Sequence, residues 1–210
     1  MLSVVHLSES VPYERGLELQ SKAAEDLLAG KGPETLLLLE HEPVYTIGRL
    51  RDQSSLGSSP QLPHPVHETN RGGQATYHGP GQLVGYPVLD LQQRGRDLHR
   101  HLRVLEELLI SLCEEFGVNA RRRDGLTGVW VGDRKVASIG VGVRKWISLH
   151  GFAINIRETC LPPFSFITPC GLQGVAMTTL ETEAGRPLSM EQAFQSLARL
   201  APGFLKLPKA

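Results

Sequence analysis

Cys170 is the residue of this chain best suited to forming a covalent bond. It stands in FITPCGLQG, between Pro169 and Gly171, on irregular backbone that is expected to be accessible. A thiolate is a strong nucleophile, but a thiol is as often an inert packing group, and its immediate neighbours leave both readings open. Lys135, in RKVASIGVG, either points to solvent or is held over a site. In the second case its ammonium favours a nearby thiolate, and its neutral amine accepts a proton. His78 and His150 each precede a glycine and read as either structural or catalytic imidazoles. His99 and His101 ride on a long helix and are expected to be solvated. Cys113 belongs to the same leucine-rich helix and reads as core, and Cys160 has no assigned role.

The segment Arg71–Pro87, RGGQATYHGPGQLVGYP, holds five glycines, two prolines, an arginine, a histidine and two tyrosines. Glycine carries an entropic cost on folding, so a dense cluster marks backbone that turns sharply or lies against a ligand. The other reading of such a cluster is a glycine-rich surface loop, and the apolar and aromatic Ala75, Tyr77, Leu83, Val84 and Tyr86 interleaved with the glycines weigh against it. No GxGxxG follows a strand, and there is no GxxxxGK[ST], HExxH, CxxC or GxSxG. Dinucleotide, P-loop, zinc-hydrolase and serine-hydrolase chemistry therefore find no support, and no metal or cofactor is expected. Arg121-Arg122-Arg123 reads as an exposed turn or as a dock for an acidic partner.

These groups need a scaffold. A strand is expected over 2–7, a helix from Pro12 to Leu28 with Gly30 past its end, a buried strand over Thr35–Leu39 and another over Val44–Ile47. Residues 50–65, rich in Ser, Pro, Gly and Gln, read as a mobile surface loop. Val84–Leu91 reads as a strand. Asp97–Phe116 is the clearest helix, with Leu98, Leu102, Leu105, Leu109 and Leu112 on one face and Gly117 as its stop. Gly128–Val143 reads as a hairpin turning near Gly132-Asp133, and Ile147–Ile156 continues as strand. Leu161–Gly174 reads as an ordered loop, and Ser189-Met190-Glu191-Gln192 fits a capping box opening a last helix. Hairpins mixed with a few helices give an α+β class, a mixed or antiparallel sheet with helices packed on it.

The chain has 210 residues, 22 Lys+Arg against 22 Asp+Glu, and 40% hydrophobic residues. That balance gives no basic surplus for a nucleic-acid binder. No apolar run approaches a membrane span, and MLSVVHLSES lacks the regions of a signal peptide, so a cytoplasmic protein with reduced thiols is expected. The default oligomeric state is a monomer.

Three segments together resemble the octanoyltransferases of lipoate biosynthesis: Arg71–Pro87, Gly128–Asn155 (GVWVGDRKVASIGVGVRKWISLHGFAIN) and Thr168–Leu180 (TPCGLQGVAMTTL). VAMTTL stands where many members have a Val-Thr-Ser-Leu type sequence. The resemblance implies the biotin/lipoate-protein ligase-like fold over one catalytic domain, residues 1–210. It implies transfer of an octanoyl group from octanoyl-acyl carrier protein to a lysine of lipoyl domains, in 2-oxoacid dehydrogenase complexes and the glycine cleavage H protein. Under it Cys170 is the acyl-accepting nucleophile and Lys135 its partner. Arg71, Gly72, Gly73, Gln74, Ala75, Thr76, Tyr77 and His78 form the main acyl-pocket segment. Ser138, Ile139 and Gly140, with Gly151, Phe152 and Ala153, form the other walls. Two rivals remain: an ATP-dependent lipoate- or biotin-protein ligase of the same fold, and an acyl- or carrier-protein-binding protein without turnover.

Overall fold

The computed structural model describes residues 2–51, 53–57, 62–169 and 174–206. Strand β1 (Ser3–Val11) leads into helix α1 (Tyr13–Leu28), and β2 (Thr35–His41) returns parallel to β1. Pro12 occupies the position before α1, where a missing N–H costs nothing. Strands β3 (Val44–Ile47), β4 (Val66–Glu68) and β5 (Thr76–His78) make a small sheet in the order β4-β3-β5. Strand β6 (Gln82–Val88) follows, then helix α2 (Leu98–Glu115), whose first turn is capped by the Asp97 carboxylate accepting from Arg100 N. Strands β7 (Arg121–Arg123), β8 (Leu126–Val131), β9 (Arg134–Arg144) and β10 (Ile147–Asn155) come next, then helices α3 (Leu180–Ala184) and α4 (Met190–Leu205).

The large sheet has the order β1-β2-β6-β10-β9-β8-β7 and is antiparallel apart from the β1–β2 pair. Strand β2 reads TLLLLEH because it is covered on both faces. Leu36 and Leu38 join a core with Leu105, Leu109 and Leu112 of α2 and Phe194 and Leu197 of α4. Leu37 and Leu39 turn the other way and pack with Val84, Tyr86, Ala153 and Leu19 of α1. This alternation is the period of two of a strand.

α1 lies close on its face of the sheet because residue 16 is glycine. A Cβ there would stand 2.7 Å from His41 Cε1. His41 is pinned at both nitrogens. Val11 O can only accept, so Nδ1 donates to it (2.8 Å), and Nε2 then accepts from the Tyr86 hydroxyl (2.6 Å).

Three expectations are corrected. Within the 50–65 loop, Gln53–Leu56 form a 3-10 turn with Ser55 buried, because its hydroxyl accepts from Ala75 N (3.1 Å) and its carbonyl from Thr168 N (2.8 Å). His101 is buried rather than solvated, since it shares the α2 face of Leu105, Leu108 and Leu112. Arg121–Arg123 are an edge strand, not a turn. Arg122 pairs with Glu106 and Glu107 of α2, and Arg123 pairs with Asp133 while lying over Trp130. These pairings leave less free charge for docking than the sequence implied.

Candidate active site

The glycine-rich segment crosses the α1 face of the large sheet. Gly72 N donates to Val141 O of β9 (2.9 Å), and Arg71 O accepts from Arg49 N (2.9 Å). Beneath it β9 and β10 pair with Gly140 opposite Gly151. A Cβ on Gly140 would stand 2.8 Å from Gly72 O, and one on Gly151 would stand 2.3 Å from Gly85 O. Glycine at these two positions lets the backbones close to this distance.

Between the segment and the sheet lies a cavity. Of the pocket residues expected from sequence, it is lined by Arg71, Gly72, Gly73, Gln74, Thr76 and His78 on one side. Ser138, Ile139, Gly140, Gly151, Phe152 and Ala153 line it on the other. Ala75 and Tyr77 do not line it. Strand alternation turns them to the opposite face of β5, into a separate apolar cluster with Tyr45, Phe164 and Ile167. Tyr13, Val84, Tyr86 and His150 complete the wall. Tyr13 was missed because nothing marks the first residue of an amphipathic helix as a cavity residue. Its ring stacks 6.1 Å from that of His78.

Arg71 is buried and held by Thr46. Its Nη2 donates to Thr46 Oγ1 (2.7 Å) and Thr46 O (2.8 Å), and its Nη1 to Gly72 O (3.0 Å). The histidines around it are kept neutral. Burial, then the Arg71 charge, brings His150 down to about 4. Burial and the neighbouring His41 bring His78 to about 3, and burial alone lowers His41 to about 4. Burial pushes Tyr13 up to about 12, against the pull of Arg71 and Thr69. Two buried polar atoms of the wall, Thr76 Oγ1 and His150 Nδ1, have no hydrogen-bond partner among the described residues.

A chain of amides runs from the cavity towards Lys135. His78 Nδ1 donates to Gln82 Oε1 (2.7 Å), Gln82 Nε2 donates to Asn155 Oδ1 (2.9 Å), and Asn155 Nδ2 donates to Thr178 O (3.0 Å). Thr178 N in turn donates to Lys135 O (3.0 Å), and Lys135 N to Ala176 O (2.9 Å). The 176–178 stretch that follows the Pro-Cys-Gly motif is thus laid against β9 as an added rung. Lys135 is buried rather than solvent-facing, with Nζ 5.2 Å from the Trp130 ring centroid, three residues before Ser138 and outside the cavity wall. Cys170 lies outside the described residues. Cys113 and Cys160 are both buried, and burial first of all pushes each thiol up to about 12, as expected of structural thiols.

The family model for the lipoyl protein ligase A/B catalytic domain matches residues 12–200. The octanoyltransferase of Geobacter metallireducens is 52% identical over 193 residues, 92% of this chain and 89% of that protein. The chain belongs to the octanoyltransferase family. The octanoyltransferase of Geobacter sulfurreducens is 51% identical over 207 residues, 99% of this chain and 85% of its own length. An octanoyltransferase is an acyltransferase, so this chain is an enzyme. Solved structures share its fold. The bipartite lipoate protein ligase of Thermoplasma acidophilum superposes with a TM-score of 0.67 at 16% identity, covering 100% of this chain and 87% of that one. The biotin protein ligase of Aquifex aeolicus, in complex with biotin and ATP, superposes with a TM-score of 0.57 at 15% identity, covering 97% and 70%. The octanoyltransferase fold is therefore the one shared by lipoate- and biotin-protein ligases, as the sequence resemblance implied.

Proposed function

We propose that residues 1–210 act as one catalytic domain that moves an octanoyl group from octanoyl-acyl carrier protein to a specific lysine of lipoyl domains, through a thioester on Cys170. The acceptors are lipoyl domains of 2-oxoacid dehydrogenase complexes and the glycine cleavage H protein, and the enzyme works as a cytoplasmic monomer. The observation that carries this reading is the convergence of the glycine-rich segment with the Ser138–Gly140 and Gly151–Ala153 walls on one cavity, in a chain about half identical to octanoyltransferases.

In the first step the Cys170 thiolate attacks the carbonyl of the carrier thioester. A C–S bond forms, the bond to the carrier sulfur breaks, and the carrier leaves as thiolate. Thioester replaces thioester, so the exchange is close to balanced. In the second step the neutral amine of the lipoyl-domain lysine attacks, the Cys170–acyl bond breaks, and an amide forms. The amide is the more stable product, so no ATP is consumed. Lys135 serves both steps: as a cation it favours the thiolate, and as an amine it takes the proton lost by the incoming nucleophile. The cavity takes the chain, and each methylene removed from water contributes about 0.8 kcal/mol.

Incubation with octanoyl-acyl carrier protein in the absence of ATP tests this directly. Intact-mass spectrometry should show one octanoyl adduct on the wild type and none on Cys170→Ser, and adding a lipoyl domain should discharge it. Transfer that requires ATP would instead indicate a ligase. Reversible binding without an adduct would indicate an acyl-binding protein.

A further inference from the structure

Trp130 is fully buried, yet it joins none of the apolar clusters among the described residues. Two cations lie over its ring. Lys135 Nζ is 5.2 Å and Arg123 Cζ is 5.0 Å from its centroid. Both fall within the roughly 6 Å over which the negative face of an aromatic ring attracts a cation. The two differ in setting. The Arg123 side chain is 38% exposed and also pairs with Asp133, so water and a carboxylate share its charge. Lys135 is 2% exposed. The attraction of a ring is about twice as large, or more, for a cation removed from water.

The register of β8 and β9 brings the pair together. Val129 stands opposite Ala137, and an unbroken antiparallel ladder would continue with Trp130 opposite Val136 and Val131 opposite Lys135. The register shifts at that point, and Trp130 stands opposite Lys135. Val136 is the extra residue of a bulge, the device by which a strand re-aims a side chain. Residues directly opposite share a face of the sheet, so the shift turns Lys135 to the face of Trp130; regular alternation would have turned it to the other. The lysine is then fixed along its length. Its N and O bond to Ala176 O and Thr178 N, and a Cβ on Gly128 would stand 2.6 Å from its Cε and 3.2 Å from its Nζ.

We propose that Trp130 is a positioning residue of the transfer reaction: its ring face holds the Lys135 ammonium in place, and the bulge at Val136 seats it there. This rests on reading Lys135 as the partner of the Cys170 thiol. Burial works against an ammonium, and the ring offsets part of that cost. A carboxylate would do so too, but it would cancel the charge that a thiolate needs. A ring is neutral, so it attracts the ammonium and leaves its charge to act on the sulfur.

Fluorine tests this without changing the shape of the side chain. Ring fluorines draw electron density from the face of an indole and weaken its hold on a cation step by step. The chain has two tryptophans, and Trp146 lies at the far end of β9, so the series is made in Trp146→Phe with none, one, two or four fluorines on Trp130. The rate at which octanoyl-acyl carrier protein forms the adduct should fall with each step, by about tenfold over the whole series, at an unchanged melting temperature. Trp130→Phe should keep part of the rate and Trp130→Leu less. A rate that stays flat across the fluorine series overturns the proposal and leaves the transferase intact. A second readout does not depend on turnover. In protein labelled with 13C at the lysine ε carbon, the ring current of Trp130 should shift one lysine resonance upfield, and Lys135→Met should remove that resonance. A spectrum without it refutes the contact. No adduct on the unfluorinated protein refutes the transferase reading itself, and the lysine spectrum still decides whether Trp130 holds Lys135.

Discussion

Lys135 is a strand residue, 2% exposed, whose stem is pressed against Gly128 so closely that a Cβ there would stand 2.6 Å from its Cε. That packing holds a flexible side chain in one place. Lys135→Met keeps most of the stem and its contact with Trp130 but removes the charge. Under the proposed reaction, the pH at which iodoacetamide modifies Cys170 should move upward by about one unit or more, with thermal stability little changed. An unmoved profile would remove Lys135 as the partner of the thiol. At this scale the sequence was informative where residue type and backbone need coincide, as at Gly140 and Gly151, where only a missing Cβ fits. It was uninformative where a position acquires meaning from a distant partner. Nothing local to His41 or Tyr13 says that one will be pinned between Val11 and Tyr86, or that the other will stack on His78.

Among the elements, α2 and the β7–β8 hairpin are joined through one buried carboxylate. Glu106 Oε2 accepts from Arg103 Nη1 (2.7 Å) and Arg122 Nε (3.0 Å), and Oε1 accepts from Gly128 N (3.1 Å). Both arginines are partly exposed, so the ion pairs contribute less than their geometry suggests. Glu106→Gln should cost about 2 kcal/mol, mostly from weakening charge-assisted hydrogen bonds, and urea unfolding would read it as a lower midpoint at constant slope. An unchanged midpoint would show that the carboxylate adds nothing. The elements legible from sequence are those built by local signals: α2 by its leucine period, the β8–β9 turn by Gly132-Asp133, and α4 by the Ser189–Gln192 capping box, which is formed as expected. The strands β4, β5 and β7 have only three residues each, and their partners rather than their own pattern make them strands. His101 was legible in hindsight, since it stands four residues before Leu105 on the buried face.

For the whole molecule, four histidines are enclosed in neutral form. His41, His101 and His150 sit at about 4 and His78 at about 3, lowered chiefly by burial from an ordinary 6.5. Between those values and 6.5 the unfolded chain binds more protons than the folded one, so stability is complete above about pH 6.5 and is lost as the pH falls towards 4. Glu183, held below its usual range by Arg134 and Thr178, adds a loss of the same sign at the acid end. Urea midpoints should therefore fall between pH 7 and pH 4 by more than any one histidine variant restores. A midpoint constant over that range would mean that these imidazoles are charged, or solvated, in the folded protein. The fold class was legible from the mixture of hairpins and helices. The cavity's walls were named only through the family resemblance and by no local pattern, because the cavity forms only when a loop from one sheet is laid across the other.

The close seating of α1 has a consequence for anyone who would make this enzyme more robust. Replacing a helical glycine with alanine is a routine thermostabilising step, worth up to about 1 kcal/mol through a stiffer unfolded chain. At Gly16 the sign reverses. The new methyl group would meet an imidazole that cannot step aside, because both of its nitrogens are tied to Val11 and Tyr86. Gly16→Ala should lower the melting temperature by several degrees and weaken substrate binding at the same time, since Tyr86 is part of the cavity wall. A variant that melts higher with unchanged activity would show that helix and sheet have slack to spare.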